Sequence, residues 1–308
     1  MAISVEAAIE IISNLTLDLN YEIIPIENAT NRICAQEIFA TSFLPKFNNS
    51  AMDGYAIIYE DKNNELNIID TIFAGDNNGK LLEKDSCIKI MTGAKIPDNT
   101  TAIIPKEDTE KLSDNKIKII KNVKEFQHIR YIGEDIKSDE LLINIGDEIN
   151  FSKITLLASQ GISHIKVFKK PKIVVFASGE ELKLHYEKIQ SHQIYNSNTP
   201  TLITRSIELG CEATFIGQSV DTIQGIKELI SNSLDADLII TSGGVSVGDA
   251  DFTKEAFNEL NFETIFDGIA LQRQFRNLRV IAPTDYSGIL QPLNATDVLR
   301  RPSSLFDN

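Results

Sequence analysis

The densest chemistry in the sequence lies at 237–255, DLIITSGGVSVGDADFTKE. An apolar run ends in Ser242-Gly243-Gly244 and is followed by Ser246, Gly248, Asp249 and Asp251 before a helix-forming stretch. Glycines without a Cβ let backbone N–H groups close on a phosphate, and the N-terminus of the next helix adds a positive dipole. Two aspartates beside such a nest are suited to holding Mg²⁺ between phosphate oxygens. Upstream, FASGEEL at 176–182 ends a second apolar run. Gly179 permits a sharp turn after Ser178, and Glu180 and Glu181 then project from the strand's carboxyl end, where a cation-binding carboxylate belongs. In GQSVD at 217–221, Asp221 closes another strand, though an aspartate opening a helix is often only its cap. In QIYNSNTPTL at 193–202, Asn198 opens a helix and is open to the same two readings.

Three more strings lie in the first half. PKFNNSAMDGYAI at 45–57 is a proline-led loop with a small-residue turn at Ser50 and Ala51, and Asp53-Gly54 then feeds a strand. Taken alone, Asp-Gly is a turn former. IMTGAKIPDNTTAIIPKEDT at 90–109 leaves the Thr92 hydroxyl and nearby N–H groups free at a strand end. RYIGEDI at 130–136 sets Arg130 beside Glu134 and Asp135, which by itself is a solvated ion-pair cluster.

The elements that must position these residues fall into two rhythms. MAISVEAAIEIISNL spaces Val5, Ala8, Ile9, Ile12 and Leu15 as a helix with Ser4 as N-cap. From 46 to 130, short β-prone runs (Tyr55–Tyr59, Leu66–Ile72, Cys87–Met91, Ala102–Ile104, Ile117–Ile120) alternate with turn-rich pieces. From 152 the period changes. FSKITLLASQG is expected to be a helix capped by Ser152 and stopped by Gly161. Then strands KIVVFASG, ATFIG, DLIITSGG and FETIFDGIAL alternate with helices TPTLITRSIELG, TIQGIKELISNSL and TKEAFNEL. This predicts an α/β fold: a three-layer domain with a mostly parallel sheet whose ligands bind at the carboxyl ends of its strands, joined to an N-terminal β-rich domain and an elongated linking segment. The expected division is 1–45 with 131–168 for the elongated segment, 46–130 for the β-rich domain, 169–271 for the α/β domain and 272–308 for an atypical tail.

The 308 residues carry a formal charge of −14, which repels nucleic acid and anionic membranes, so an anionic ligand must be held by local devices. No run of about 18 apolar residues predicts a transmembrane helix. The start lacks a basic n-region and carries Glu6 and Glu10, against a signal peptide. Three scattered cysteines, Cys34, Cys87 and Cys211, suggest a reducing cytoplasmic setting and small buried side chains. His185 and His192 lie in a polar stretch without the spacing of zinc ligands.

Taken together, these strings resemble the MoeA-type molybdopterin molybdenumtransferases, from about residue 5 to 271. SAMDGYA matches that family's signature almost position by position. Residues 92–107 match its "TGAxxPxGADxVxxxE", with Asn99-Thr100-Thr101 replacing Gly-Ala-Asp. FASGEEL resembles "STGDEL", and QIYNSN resembles "GQIxDSN" with Asn196 where Asp is usual. GGVSVGDADF is close to diagnostic. The resemblance implies a cytoplasmic homodimer with a shared cleft, in which Mg²⁺-dependent insertion of molybdate into adenylyl-molybdopterin releases AMP. It implies that Asp53, Thr92, Asp135, Glu181 and Asp221 serve catalysis. Ser178, Gly179, Ser242, Gly243, Gly244, Ser246 and Gly248 would cradle the substrate, and Glu181, Asp249 and Asp251 would hold Mg²⁺. No nucleic acid or membrane partner is implied.

The last 36 residues depart from this pattern. They contain none of the 22 lysines and five of the eight arginines (Arg273, Arg276, Arg279, Arg300, Arg301). The family's "PGKP" and "GLPGNP" strings do not occur. The expectation is a protein truncated or altered at its C-terminal end, after about residue 271. Three readings stay open: an active transferase, a non-catalytic molybdopterin-binding scaffold, and an inactive truncated or frameshifted product.

Overall fold

The computed structural model describes residues 3–15, 20–76, 81–220, 222–242, 252–267 and 279–283. Asp221, Gly243, Gly244, Ser246, Gly248, Asp249 and Asp251 lie outside the described residues. The helices are α1 Val5–Ser13, α2 Phe151–Ser159, α3 Asn198–Glu208, α4 Ile223–Ser231 and α5 Phe252–Glu259. The protein forms two compact units, one of Gln36–Ile145 with Phe151–Ser163, the other of Met1–Ala35, Gly146–Asn150 and His164–Asn308.

The first unit is built on a six-stranded sheet in the order Ala102–Pro105, Gly54–Ile57, Ser86–Ile90, Glu65–Ile72, Lys116–Ile119, Thr109–Ser113. Side chains alternate across a strand, and here both faces are covered. Tyr55, Ile57, Cys87, Ala102 and Ile104 pack on one face, and Ala56, Ile88, Ile90 and Ile103 pack on the other. That explains why the central strands read as solid apolar runs. Burial also pushes the Cys87 thiol up to about 12, so it is no nucleophile.

Thr109–Ser113 was not expected. Its one large apolar side chain, Leu112, is exposed, and the strand pairs antiparallel with Lys116–Ile119 at the sheet's edge. Charged edge strands of this kind carry little hydrophobic signal. Helix α2 begins at Phe151, so Ser152 lies inside its first turn and is not the N-cap. Gly161, at φ +72°, stops the helix as expected.

In the second unit, Ser4 caps α1 by accepting the Ala7 N–H at 3.1 Å. Tyr21–Pro25 pairs antiparallel with His164–Phe168. Further on, a parallel sheet runs in the order Glu212–Ser219, Lys172–Ser178, Leu238–Ser242. Six of the seven residues of the central strand are buried. Phe176 packs with Ile226 and Ile230 of α4 and Ala256 and Phe257 of α5. Val175 and Ala177 alternate to the other face and are equally buried, and α3 packs against this strand and its neighbour Glu212–Ser219. Helices therefore sandwich the sheet, as the strand–helix alternation predicts.

The expected last strand behaves differently. Phe262–Asp267 pairs antiparallel with Arg279–Pro283 rather than joining the parallel sheet among the described residues. Only 11 residues separate the two strands. A parallel connection needs a crossover of a dozen or more, so an antiparallel return is the pairing within reach.

Candidate functional site

Two groups of motif residues form, one in each unit. In the β-rich unit, strand Gly54–Ile57 lies between two neighbours, and Gly54 meets Ile104 at the closest approach. A Cβ at Gly54 would lie 1.9 Å from the Ile104 carbonyl oxygen, so only glycine fits. This fixes Asp53 at the strand's start. Asp53 Oδ1 accepts both the Thr92 N–H and the Thr92 hydroxyl, each at 2.8 Å. Thr92 is therefore not free at its strand end, contrary to the expectation from the sequence. The backbone N–H of Thr92 and then its hydroxyl hold the Asp53 carboxyl below its usual range, against an opposing effect of desolvation and with the weakest help from the charge of Lys106. Asp53, Gly54, Tyr55, Lys89, Met91 and Lys106 line a shallow pocket of about 110 Å³.

The same strand end ties three strings into one backbone network. The Ser50 N–H donates to the Ala94 carbonyl, and the Gly93 N–H donates to the Ser50 carbonyl. The Ala51 N–H donates to the His128 carbonyl, and Ile129–Arg130 pairs with Asn49–Ser50. Arg130 pairs with Asp135, both side chains nearly half exposed. Glu134 turns away and accepts the Tyr131 N–H at 2.8 Å. Gly133, at φ +69°, lets this turn sit against the Phe43 ring, where a Cβ would come within 2.6 Å.

The second group lies at the carboxyl end of the parallel sheet. Ser178 is buried and closes the central strand. Gly179 follows at φ +142°, a conformation reserved for glycine. The Glu181 carboxylate folds back over it, 3.0–3.1 Å from where a Gly179 Cβ would stand. On the adjacent strand, Ser242 Oγ accepts the Asn198 side-chain amide at 3.0 Å. Asn198 lies within the first turn of α3 and is not its cap. Asn196 does that work, accepting the Thr199 N–H on Oδ1 at 3.1 Å and donating to the Thr199 hydroxyl at 2.9 Å. A capping amide or carboxylate serves equally there, which accounts for an Asn where Asp is usual. Helix α4 is capped by Thr222, which accepts the Gly225 N–H.

Gln218 escaped the sequence reading. Its Nε2 donates to the Gly179 carbonyl at 2.9 Å and the Leu182 carbonyl at 2.8 Å. Its position inside GQSVD was the only signal available. For Mg²⁺, the described residues offer the Glu181 carboxylate, an oxygen donor of the type this hard ion takes. No group of three His, Cys, Asp or Glu side chains that could hold a metal occurs among the described residues, His185 and His192 included. No helix among them is long and apolar enough to cross a membrane.

Comparison with known proteins supplies the class first. Residues 3–161 match the family model "MoeA N-terminal region (domain I and II)", and residues 173–285 match "Probable molybdopterin binding domain". Proteins named molybdopterin molybdenumtransferase align along most of the sequence. That of Haemophilus influenzae is 36% identical over 263 residues, covering 83% of this chain and 65% of the relative. That of Staphylococcus epidermidis is 32% identical over 276 residues, covering 87% and 66%. The alignment thus spans just under two thirds of the length of these relatives. A solved molybdopterin biosynthesis MoeA protein from Pyrococcus horikoshii superposes with TM-score 0.78 at 31% identity, over 91% of this chain and 72% of that one. The chain belongs to the MoeA family.

Proposed function

We propose that this protein acts in molybdenum cofactor biosynthesis, inserting molybdate into adenylyl-molybdopterin with release of AMP. The observation that carries the reading is the gathering of Ser178, Glu181, Asn198 and Ser242 at one end of a parallel sheet. Three separated strings contribute them, and ligands of open α/β sheets bind at this end.

On this reading, Ser178, Gly179, Ser242, Gly243, Gly244, Ser246 and Gly248 cradle the phosphate and pterin. Glu181, Asp249 and Asp251 hold Mg²⁺, with Asp221 beside the adenylate. When bound, Mg²⁺ would supply positive charge against the phosphate oxygens. The protein's own share is positioning and charge. Glu181 presents a carboxylate, and Asn198 fixes the Ser242 hydroxyl. Thr92 donates its N–H and its hydroxyl to the Asp53 carboxylate and so fixes its orientation. Asp135, paired with Arg130, holds the neighbouring turn. No nucleophilic side chain is required. The division into an elongated segment, a β-rich domain and an α/β domain belongs to the proposal. So does a cytoplasmic homodimer in which Asp53 and Thr92 of one protomer complete the site of its partner.

The test is turnover by purified protein with adenylyl-molybdopterin, molybdate and Mg²⁺. Glu181→Gln is expected to lower kcat about a hundredfold while its circular dichroism matches wild type. Wild-type turnover in that variant would remove Glu181 from the site. The absence of the PGKP and GLPGNP strings after Gln272 favours a second reading, binding of adenylyl-molybdopterin without turnover.

A further inference from the structure

The strand that carries Gln218 is irregular where it matters. Along the parallel pair, Val175 faces Phe215 but Ala177 faces Gln218, so Glu212–Ser219 holds one extra residue. The extra residue falls at Ile216-Gly217, and Gly217 has φ +125°. Bulges bend a strand and re-aim the side chains that follow them. Here the next side chain is Gln218, and its amide nitrogen reaches two carbonyls of the adjacent turn, those of Gly179 and Leu182. Those two carbonyls bracket Glu180 and Glu181. Inside the turn the Leu182 N–H reaches the Gly179 carbonyl only at 3.3 Å, the Gly179 N–H reaches the Ser219 carbonyl of the adjacent strand at 3.4 Å, and the Glu181 carbonyl accepts the Ile194 N–H at 2.9 Å.

We propose that Gln218 is a positioning residue, an amide clamp aimed by the bulge that holds the Gly179–Leu182 turn so that the Glu181 carboxylate stays over Gly179. This rests on the reading of Glu181 as a site residue, and Gln218 touches no substrate in it. A neutral amide suits the task. It donates twice to the turn's carbonyls and places no charge beside Glu181. A methionine of similar length fills the space without donors, and a glutamate of the same shape turns the donors into acceptors facing two carbonyls.

The test is a cycle of Gln218→Met, Glu181→Gln and the double variant, with Gln218→Glu as a second route should the methionine variant fold poorly. One readout is hydrogen exchange of the Leu182 amide in ligand-free protein. The other is calorimetric binding of AMP with Mg²⁺. Gln218→Met is expected to speed Leu182 exchange at least about tenfold and to weaken AMP binding about tenfold, as loss of an outer-shell partner does. In the Glu181→Gln background the same change should weaken AMP binding no further, because the effect passes through Glu181. Unchanged Leu182 exchange, or an equal loss in both backgrounds, would overturn the proposal. If Glu181→Gln itself leaves AMP binding and turnover at wild-type levels, the functional reading of Glu181 fails, and Leu182 exchange still decides whether the clamp exists.

Discussion

Gly54→Ala gives the sharpest test of how the β-rich unit holds Asp53. An alanine Cβ would stand 1.9 Å from the Ile104 carbonyl oxygen, 2.8 Å from its carbon and 3.1 Å from the Pro105 Cα. Ordinary contact begins at 3.4 Å, so the two strands must part by 3.4 − 1.9 = 1.5 Å. The opposing atoms are backbone, and Ile57, Ala102, Ile103 and Ile104 around them are fully buried, so no flexible side chain can yield. Overpacking of this kind costs about 1–3 kcal/mol. Parting the strands also breaks the bond from the Lys106 N–H to the Asp53 carbonyl and at least one ladder bond, about 1 kcal/mol each. The sum of about 3–5 kcal/mol corresponds to a fall in Tm of about 5–8 °C for a chain of 308 residues. Scanning calorimetry measures it, and exchange of the Thr92 amide, which donates to Asp53, should quicken in parallel. A Gly54→Ala protein melting within about 2 °C of wild type, with Thr92 still protected, would refute the close-approach argument.

Other outcomes follow from the same geometry. The Asp53 carboxyl titrates below the usual range because Thr92 donates to it twice. A lowered folded value means that the favourable interaction is fully present above the unfolded pKa and is lost as pH falls through the folded one. Thr92→Val should therefore move the Asp53 titration upward toward the ordinary carboxylate value, seen by carboxyl NMR; no movement would contradict the pairing. Gln160 is buried, and its Oε1 accepts the Thr41 and Ser42 N–H groups and the Thr41 hydroxyl. Gln160→Leu strands the Thr41 and Ser42 N–H groups, while the Thr41 hydroxyl keeps its 2.6 Å bond to the Gln160 carbonyl, and should cost about 2–4 kcal/mol in urea unfolding. Asn196→Ala should cost about 1 kcal/mol of stability as a lost cap with AMP binding intact. Asn198→Ala should weaken AMP binding with little change in stability, and the reverse pattern would mean the two asparagines have been assigned the wrong roles.

The sequence made some levels of this molecule plain and hid others for physical reasons. Lys172–Ser178 reads as a strand because burial on both faces leaves no polar position to interrupt it. Ser4, Gly161 and Gly210 act where capping chemistry puts them, since such signals are local. Thr109–Ser113 stayed hidden because its residues are chosen for solvent. The antiparallel partner of Phe262–Asp267 stayed hidden because pairing is set by what the backbone meets, not by the strand's own pattern. Asn196 and Asn198 have the same side chain two residues apart, and only the fold shows that one caps while the other reaches Ser242. Gln218 was invisible for a related reason: its role depends on a bulge, and one extra residue leaves no mark in composition or period.

The most direct test of the central claim is the stoichiometry of AMP released to molybdenum cofactor formed when the purified protein meets adenylyl-molybdopterin, molybdate and Mg²⁺. The account predicts one AMP per cofactor, dependent on molybdate and strongly reduced in Glu181→Gln. Tight binding of adenylyl-molybdopterin with neither AMP nor cofactor produced would contradict it.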